Sequence, residues 1–291
     1  MRRLKLQYVT RHQGWCSASV PADESALYNY RMDPLNVCVV QMNVDDSDVS
    51  INARRINALA EELDGEFLDL VVLPELCDFG YDLPSIPDRT DREESPALAA
   101  MRRLAESLDC YVAGGIVETA EGKLYDSLVV VAPDGEVAAR YRKIQLYAPG
   151  GEADVFERGS TLEVVDVRGW KVGLAICNDL RYPEIARGLT ANGIHALALV
   201  AAWPFPRVRH FTTLLEARAI ENQIYLVAAN RVGRLDETLF CGSSRIIDPH
   251  GDIVSSASED QETLMRAALE PSVLDWVRTR PGWQERRIEF E

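Results

Sequence analysis

Apolar residues arrive along this chain in two rhythms. Short continuous runs, NVCVVQM (36–42), LDLVVLP (68–74), CYVAGGIVE (110–118), HALALVAA (195–202) and IYLVAAN (224–230), predict strands covered on both faces. Between them the period lengthens. Ile51, Ile56, Leu59 and Leu63 share one helical face within 49–63, with Asp48 placed as N-cap. Further helices are predicted over 96–108, about 182–192 and 208–222. Turn residues predict hairpins: Pro133-Asp134-Gly135 within 125–144, Arg168-Gly169 within 162–177, and a third over 243–256. A last strand is predicted over 262–270. Helices alternating with strands, some joined as hairpins, indicate an α/β domain with mixed sheets covered by helices. Residues 1–34 lack any period and read as a poorly ordered N-terminal extension. Met32 is a candidate natural start. Residues 35–291 read as one domain without repeats or linkers.

Composition narrows the partners. The 291 residues carry a formal net charge of −15, and 31 basic against 46 acidic residues argue against nucleic acid, whose phosphates need clustered cations. No run approaches the roughly 20 apolar residues of a membrane span. The charged start MRRLKLQYVT is not followed by an apolar signal core, so a cytoplasmic place is expected. The six cysteines form no C-x-x-C pair and have no histidine cluster beside them, so no zinc site is expected. Unpaired thiols within apolar runs suit a reducing compartment.

Three polar residues stand where apolar strands stop: Glu75 after LVVLP, Lys143 after ARYR, and Cys177 after VGLAI. Ligand sites of α/β sheets gather at strand ends. Together these residues supply a base, a cation for an oxyanion and a nucleophile. Singly each has a plainer reading: a packed thiol, a loop carboxylate, a solvated ammonium. A Cys–His dyad is the competing arrangement, with His195, His210 and His250 as candidates.

The surrounding text resembles the carbon–nitrogen hydrolase, or nitrilase, superfamily. VLPEL (72–76), YRKIQLY (141–147) and ICNDLRYPE (176–184) look like its three catalytic segments, and the resemblance runs from about 36 to 285. It implies Glu75 as base, Lys143 as oxyanion cation, Cys177 as nucleophile and Glu152, within GEADVFERG, as a second glutamate. Asp154 and Glu157 are neighbouring alternatives for that last role. It also implies a four-layer α-β-β-α sandwich with two mixed sheets, a homodimer or larger homo-oligomer, and no cofactor. The reaction implied is cleavage of a small amide through a cysteine thioester, with the Asn178 backbone N–H helping to hold the oxyanion.

Within the superfamily, WPFPRVRHFTTLLEARAIENQIYLVAANRVG (203–233) and PGWQERRIEF (281–290) are similar to the ω-amidase branch. Its members act on carboxylate-bearing amides such as 2-oxoglutaramate. Arg181 is the candidate for the carboxylate, or else an ion-pair partner of Asp179 or Glu184. Trp203 and Tyr81 are candidates for the pocket wall, or for core. The chain departs from relatives at Asn178 and Gln145, where tyrosine and histidine are usual. Leu180 stands where N-carbamoyl amino acid amidohydrolases carry a second arginine. Those enzymes, deaminated-glutathione-type amidases and a catalytically silent scaffold are the alternatives.

Overall fold

The computed structural model describes residues 32–90 and 95–279. The extension up to residue 31 and the 281–290 segment lie outside the described residues. In chain order the elements are β1 (Leu35–Gln41), α1 (Val49–Glu62), β2 (Leu70–Val72), α2 (Ile86–Arg89), α3 (Pro96–Leu108), β3 (Tyr111–Ala120), β4 (Lys123–Val131), β5 (Val137–Arg142) and α4 (Glu152–Val155). There follow β6 (Val164–Val167), β7 (Trp170–Ile176), α5 (Pro183–Ala191), β8 (Ala196–Ala201), α6 (Val208–Asn222) and β9 (Tyr225–Asn230). The chain closes with β10 (Arg234–Leu235), β11 (Thr238–Leu239), β12 (Arg245–Ile247), β13 (Ile253–Ser256), β14 (Thr263–Leu269) and α7 (Pro271–Thr279).

Two six-stranded mixed sheets result, ordered β14-β1-β2-β3-β4-β5 and β13-β12-β9-β8-β7-β6. β1, β2 and β3 run parallel, as do β7, β8 and β9, and the remaining strands complete each sheet antiparallel, β14 reaching β1 from the far end of the chain. The continuous apolar runs follow from burial on both faces. Val37, Val39, Val72 and Leu128 point into the layer shared with Leu174, Ala198 and Val227 of the second sheet. Their alternates Cys38, Val40, Val71 and Val129 pack beneath Ile56 and Leu59 of α1 and Met101 and Leu104 of α3. Ile185 and Leu189 of α5 and Phe211 and Leu215 of α6 are buried on the second sheet. Each such aliphatic side chain contributes about 1.5–3 kcal/mol when fully buried. Two helices outside each sheet give the α-β-β-α order that the resemblance implies.

Local signals place the helix starts. The Asp48 carboxylate accepts the Ser50 N–H at 2.8 Å and caps α1. Ser95 caps α3, with Pro96 in its first turn. The helix α7 and the β10–β11 ribbon have no counterpart in the sequence prediction. PSVLDWVRT spans too few turns to display a period, and two-residue strands have no alternation to read. No described helix is long and apolar enough to cross a membrane.

Candidate active site

Parallel strands send their C-terminal ends to one edge of a sheet. Glu75 follows β2, while Cys177 and Ala202 follow β7 and β8. Beyond β2 the backbone stays tied to β3: Gly115 N–H donates to Pro74 O at 2.9 Å and Cys77 N–H to Gly115 O at 2.7 Å. Lys143 leaves β5 fixed on both sides, its N–H donating to Asp126 O at 2.9 Å and its carbonyl accepting from Gly159 at 2.8 Å. Cys177 has φ 43°, in the left-handed region that a side chain disfavours. It opens a 3₁₀ turn, Cys177–Arg181. The Asp179 carboxylate holds that turn by accepting from Ile176 N–H (2.9 Å), Gln145 N–H (2.9 Å) and the Tyr141 hydroxyl (2.8 Å). Burial pushes the Asp179 carboxyl up to about 6 against the pull of these donors.

The Lys143 ammonium is wholly buried and has a carboxylate for each of its three protons. Nζ lies 2.5 Å from Glu75 Oε1, 2.7 Å from Glu152 Oε1 and 3.1 Å from Asp126 Oδ2. Burial alone would lower its pKa; Glu152, Glu75 and Asp126 outweigh burial and hold it well above the ordinary lysine value. Glu75 Oε2 also accepts the Ala202 N–H at 2.5 Å. Glu152 Oε2 accepts the Tyr147 N–H at 2.7 Å, and its Oε1 takes the Tyr81 hydroxyl as well. The neighbouring alternatives to Glu152 lie elsewhere: Asp154 is exposed, and Glu157 pairs with Lys123 at 3.3 Å. Oxygens of Glu75, Asp126 and Glu152 come within 4.8 Å of one another, as metal ligands would. They converge on Nζ, so the ammonium already takes the place a cation would fill.

Asp126 is the member that sequence reasoning missed. Its signal was an aspartate inside the strand YDSLVVV, where alternation points it to a buried face.

The Cys177 thiol is raised well above its ordinary value, by burial first and then by the Glu75 charge, with Lys143 opposing. It is therefore a neutral thiol at rest, beside a carboxylate able to take its proton. Among the described residues Cys177 lines a cavity of about 410 Å³ shared with Tyr81, Tyr147, Asn178, Arg181, Trp203 and Arg207. Tyr81 is set by its N–H to Asp46 Oδ1 (2.6 Å) and by edge contact with Phe240. Trp203 is set by its indole N–H to Arg207 O (3.0 Å). The Asn178 side-chain amide turns away to the Gln145 and Leu146 carbonyls, at 3.2 and 3.4 Å.

Arg181 does not pair with Asp179 or Glu184. Its guanidinium carbon lies 4.3 Å from the Trp203 ring centroid, and Nη1 lies 3.4 Å from His210 Nδ1. Arg207 sits 5.5 Å over Tyr147. Neither arginine has a carboxylate partner among the described residues. Burial, and to a lesser degree the charge of Arg207, lower the Arg181 pKa, although the Cys177 side raises it. Of the histidines, His195 packs edge-on against Trp170 and His250 against Trp276, and none of the three lines the cavity at Cys177.

Known proteins share this arrangement of chain. The carbon-nitrogen hydrolase family model matches residues 36–279. A 2-oxoglutaramate amidase of Bacillus subtilis is 30% identical over 235 residues, covering 80% of this chain and 90% of the relative. An omega-amidase of Escherichia coli is 30% identical over 256 residues, covering 87% and 97%. A crystal structure of a CN-hydrolase superfamily protein from Xanthomonas campestris superposes with TM-score 0.82 at 28% identity, covering 89% of this chain and 99% of that one. The chain thus belongs to the carbon–nitrogen hydrolase family and is a hydrolase of carbon–nitrogen bonds other than peptide bonds.

Proposed function

We propose that this protein is an ω-amidase that releases ammonia from a 2-oxo dicarboxylate monoamide such as 2-oxoglutaramate, with Cys177 as nucleophile. The observation that carries the substrate class is the pair of guanidiniums, Arg181 and Arg207, which line the cavity of Cys177 without a carboxylate partner among the described residues. Two guanidiniums without an ion-pair partner, against the single carboxylate of Glu237 in the same lining, favour an anion, and the planar guanidinium matches a carboxylate. The amide relatives at about 30% identity support the same class.

Each residue then has a task. Glu75 takes the Cys177 proton as sulfur attacks the amide carbon. Lys143 and the Asn178 backbone N–H hold the oxyanion; as an early N–H of a 3₁₀ turn, the latter has no acceptor within the turn. Glu75 passes the proton to nitrogen, the C–N bond breaks, ammonia leaves and a thioester remains on sulfur. Glu75 next takes a proton from water, whose oxygen attacks the thioester. The C–S bond breaks, the proton returns to sulfur and the acid departs. Glu152 anchors Lys143, and Tyr81 and Trp203 wall the amide.

Ammonia release from 2-oxoglutaramate, 2-oxosuccinamate, deaminated glutathione, N-carbamoyl amino acids and simple nitriles tests this reading. Turnover is expected on the first two. Preference for N-carbamoyl substrates would overturn the substrate, and no turnover together with a Cys177 inert to iodoacetamide would indicate a silent relative.

The same proposal places the enzyme in the cytoplasm as a homodimer or larger. Its buried free thiols Cys38, Cys77, Cys110 and Cys241 suit reducing conditions. Tyr182, Ile220, Ile253, Val254 and Trp276 expose apolar surface around α5, α6 and β13. Light scattering that gives a monomer mass, or fractionation away from the cytosol, would overturn these two parts.

A further inference from the structure

The cluster around Lys143 holds more negative charge than its cation balances. If Glu75, Glu152 and Asp126 were all ionised, three buried carboxylates would face one buried ammonium, and a thiolate forming at Cys177 would add a further charge. Desolvation makes such an excess costly, so a proton belongs on one of the three.

Hydrogen bonding shows which one. Both oxygens of Glu75 receive donors, from Lys143 and from the Ala202 amide. Both oxygens of Glu152 do too, from Lys143 and Tyr81 on one side and the Tyr147 amide on the other. Asp126 receives only Lys143, through Oδ2, at the longest of the three separations, 3.1 Å. Its Oδ1 is buried without a hydrogen-bond partner among the described residues, and the Asp126 carboxyl lies against that of Glu75, which can accept the proton of the neutral acid. A bare ionised oxygen in a dry site is the least favourable place for charge in this cluster.

We propose that Asp126 is a positioning residue that works as the neutral acid: it carries a proton at neutral pH, offers its carbonyl oxygen to Lys143, and limits activity at alkaline pH when that proton is lost. This deepens the amidase reading and rests on it for the role of Lys143. The groups that face Asp126 are Lys143 beyond β5, Glu75 beyond β2 and Glu152 of α4, with Cys177 and Tyr81 next in the same cluster. Burial, Glu75 and Glu152 favour the acid form against the opposing charge of Lys143. A neutral partner steadies the ammonium without cancelling its charge, which stays available to the oxyanion. Ionised, Asp126 would offset that charge and oppose the developing negative charge on sulfur and oxygen.

The test compares Asp126→Asn, which keeps the shape and the carbonyl without the proton, with Asp126→Ala. The Asn variant is expected to hold kcat/KM within about fivefold at neutral pH, the scale of exchanging one neutral acceptor for another. Its activity is expected to persist to higher pH than that of the parent. The Ala variant, which strands a charged donor, is expected to lose about 10–100-fold. Infrared spectra of the parent are expected to show a buried carboxylic acid C=O band that fades as pH rises and is missing from the Asn variant. Absence of that band, an unmoved alkaline limb in the Asn variant, or equal losses in both variants would overturn the proposal. If the Asn variant fails to fold, loss of that band from the Ala variant assigns it to Asp126, and a band that stays there overturns the proposal. The band also decides the matter if the parent turns over no amide, a result that would sink the amidase reading without touching the proton on Asp126.

Discussion

Gly115 on β3 lies directly against Glu75: a Cβ at residue 115 would stand 2.5 Å from Glu75 Cα and 2.7 Å from Leu76 N. Only backbone is in the way, so no side chain can swing aside. Gly115→Ala is therefore expected to push the Glu75 segment off β3 and destabilise the fold by about 1–3 kcal/mol, the usual effect of overpacking. Because Glu75 Oε1 touches Lys143 and Oε2 touches Ala202 N–H, kcat should fall more than stability alone explains. Thermal melts beside kcat measurements check this. A variant with the parent's melting temperature and kcat would show that the two strands can part freely.

Among the described residues Lys143 is the sole cation in the buried cluster of Glu75, Asp126 and Glu152. Lys143→Ala should remove an oxyanion donor and leave three carboxylates facing each other, lowering kcat by at least about 10²-fold. Steady-state kinetics on the best amide of the panel measures it. Near-parent turnover would take the oxyanion role away from Lys143.

Arg181 and Arg207 face the same cavity, so each should act on carboxylate-bearing substrates alone. Arg181→Ala is expected to raise KM for 2-oxoglutaramate about 10–100-fold, the scale of a lost charge-assisted hydrogen bond, with a smaller effect from Arg207→Ala. A simple uncharged amide should be cut by parent and variants alike. Equal losses on charged and uncharged amides would mean that Arg181 shapes the wall through its stack on Trp203 and does not read the anion.

His195 gives a pH signature of stability, separate from catalysis. It is buried, accepts the Lys171 N–H at Nδ1 (3.0 Å), and burial, then Arg278 and Lys171, depress its pKa to about 4. The unfolded chain titrates near 6.5 at this residue. Between pH 6.5 and about 4 the unfolded state therefore binds the proton that the folded state refuses, so stability falls as pH falls through that window and levels off below it. Relative to His195→Gln, the parent should lose on the order of 3 kcal/mol across it. Denaturant melts at several pH values read the difference. A gap independent of pH would contradict the depressed pKa.

The sequence alone determined the longer regular elements and marked the segment of the proposed nucleophile, because both depend on local chemistry. Strands covered on both faces must be apolar throughout, as NVCVVQM and HALALVAA are, and helices announce themselves by caps such as Asp48 and by spacing such as Ile56 and Leu59. Glu75, Lys143 and Cys177 were legible for the same reason, each in a distinctive motif at a strand end. Tertiary structure decided the rest. Asp126, 17 residues from Lys143, joins its ammonium only because β4 and β5 pair. Arg181 could have joined Asp179 or Glu184 by proximity in sequence. Asp179 is instead consumed by Tyr141, Gln145 and Ile176, which leaves Arg181 to stack on Trp203 at the cavity. Hydrophobic patterning records which face of an element is buried, but it holds no information about which partner a buried charge will meet. That is settled by distances between strands far apart along the chain, where desolvation leaves each charge only the neighbours that packing provides.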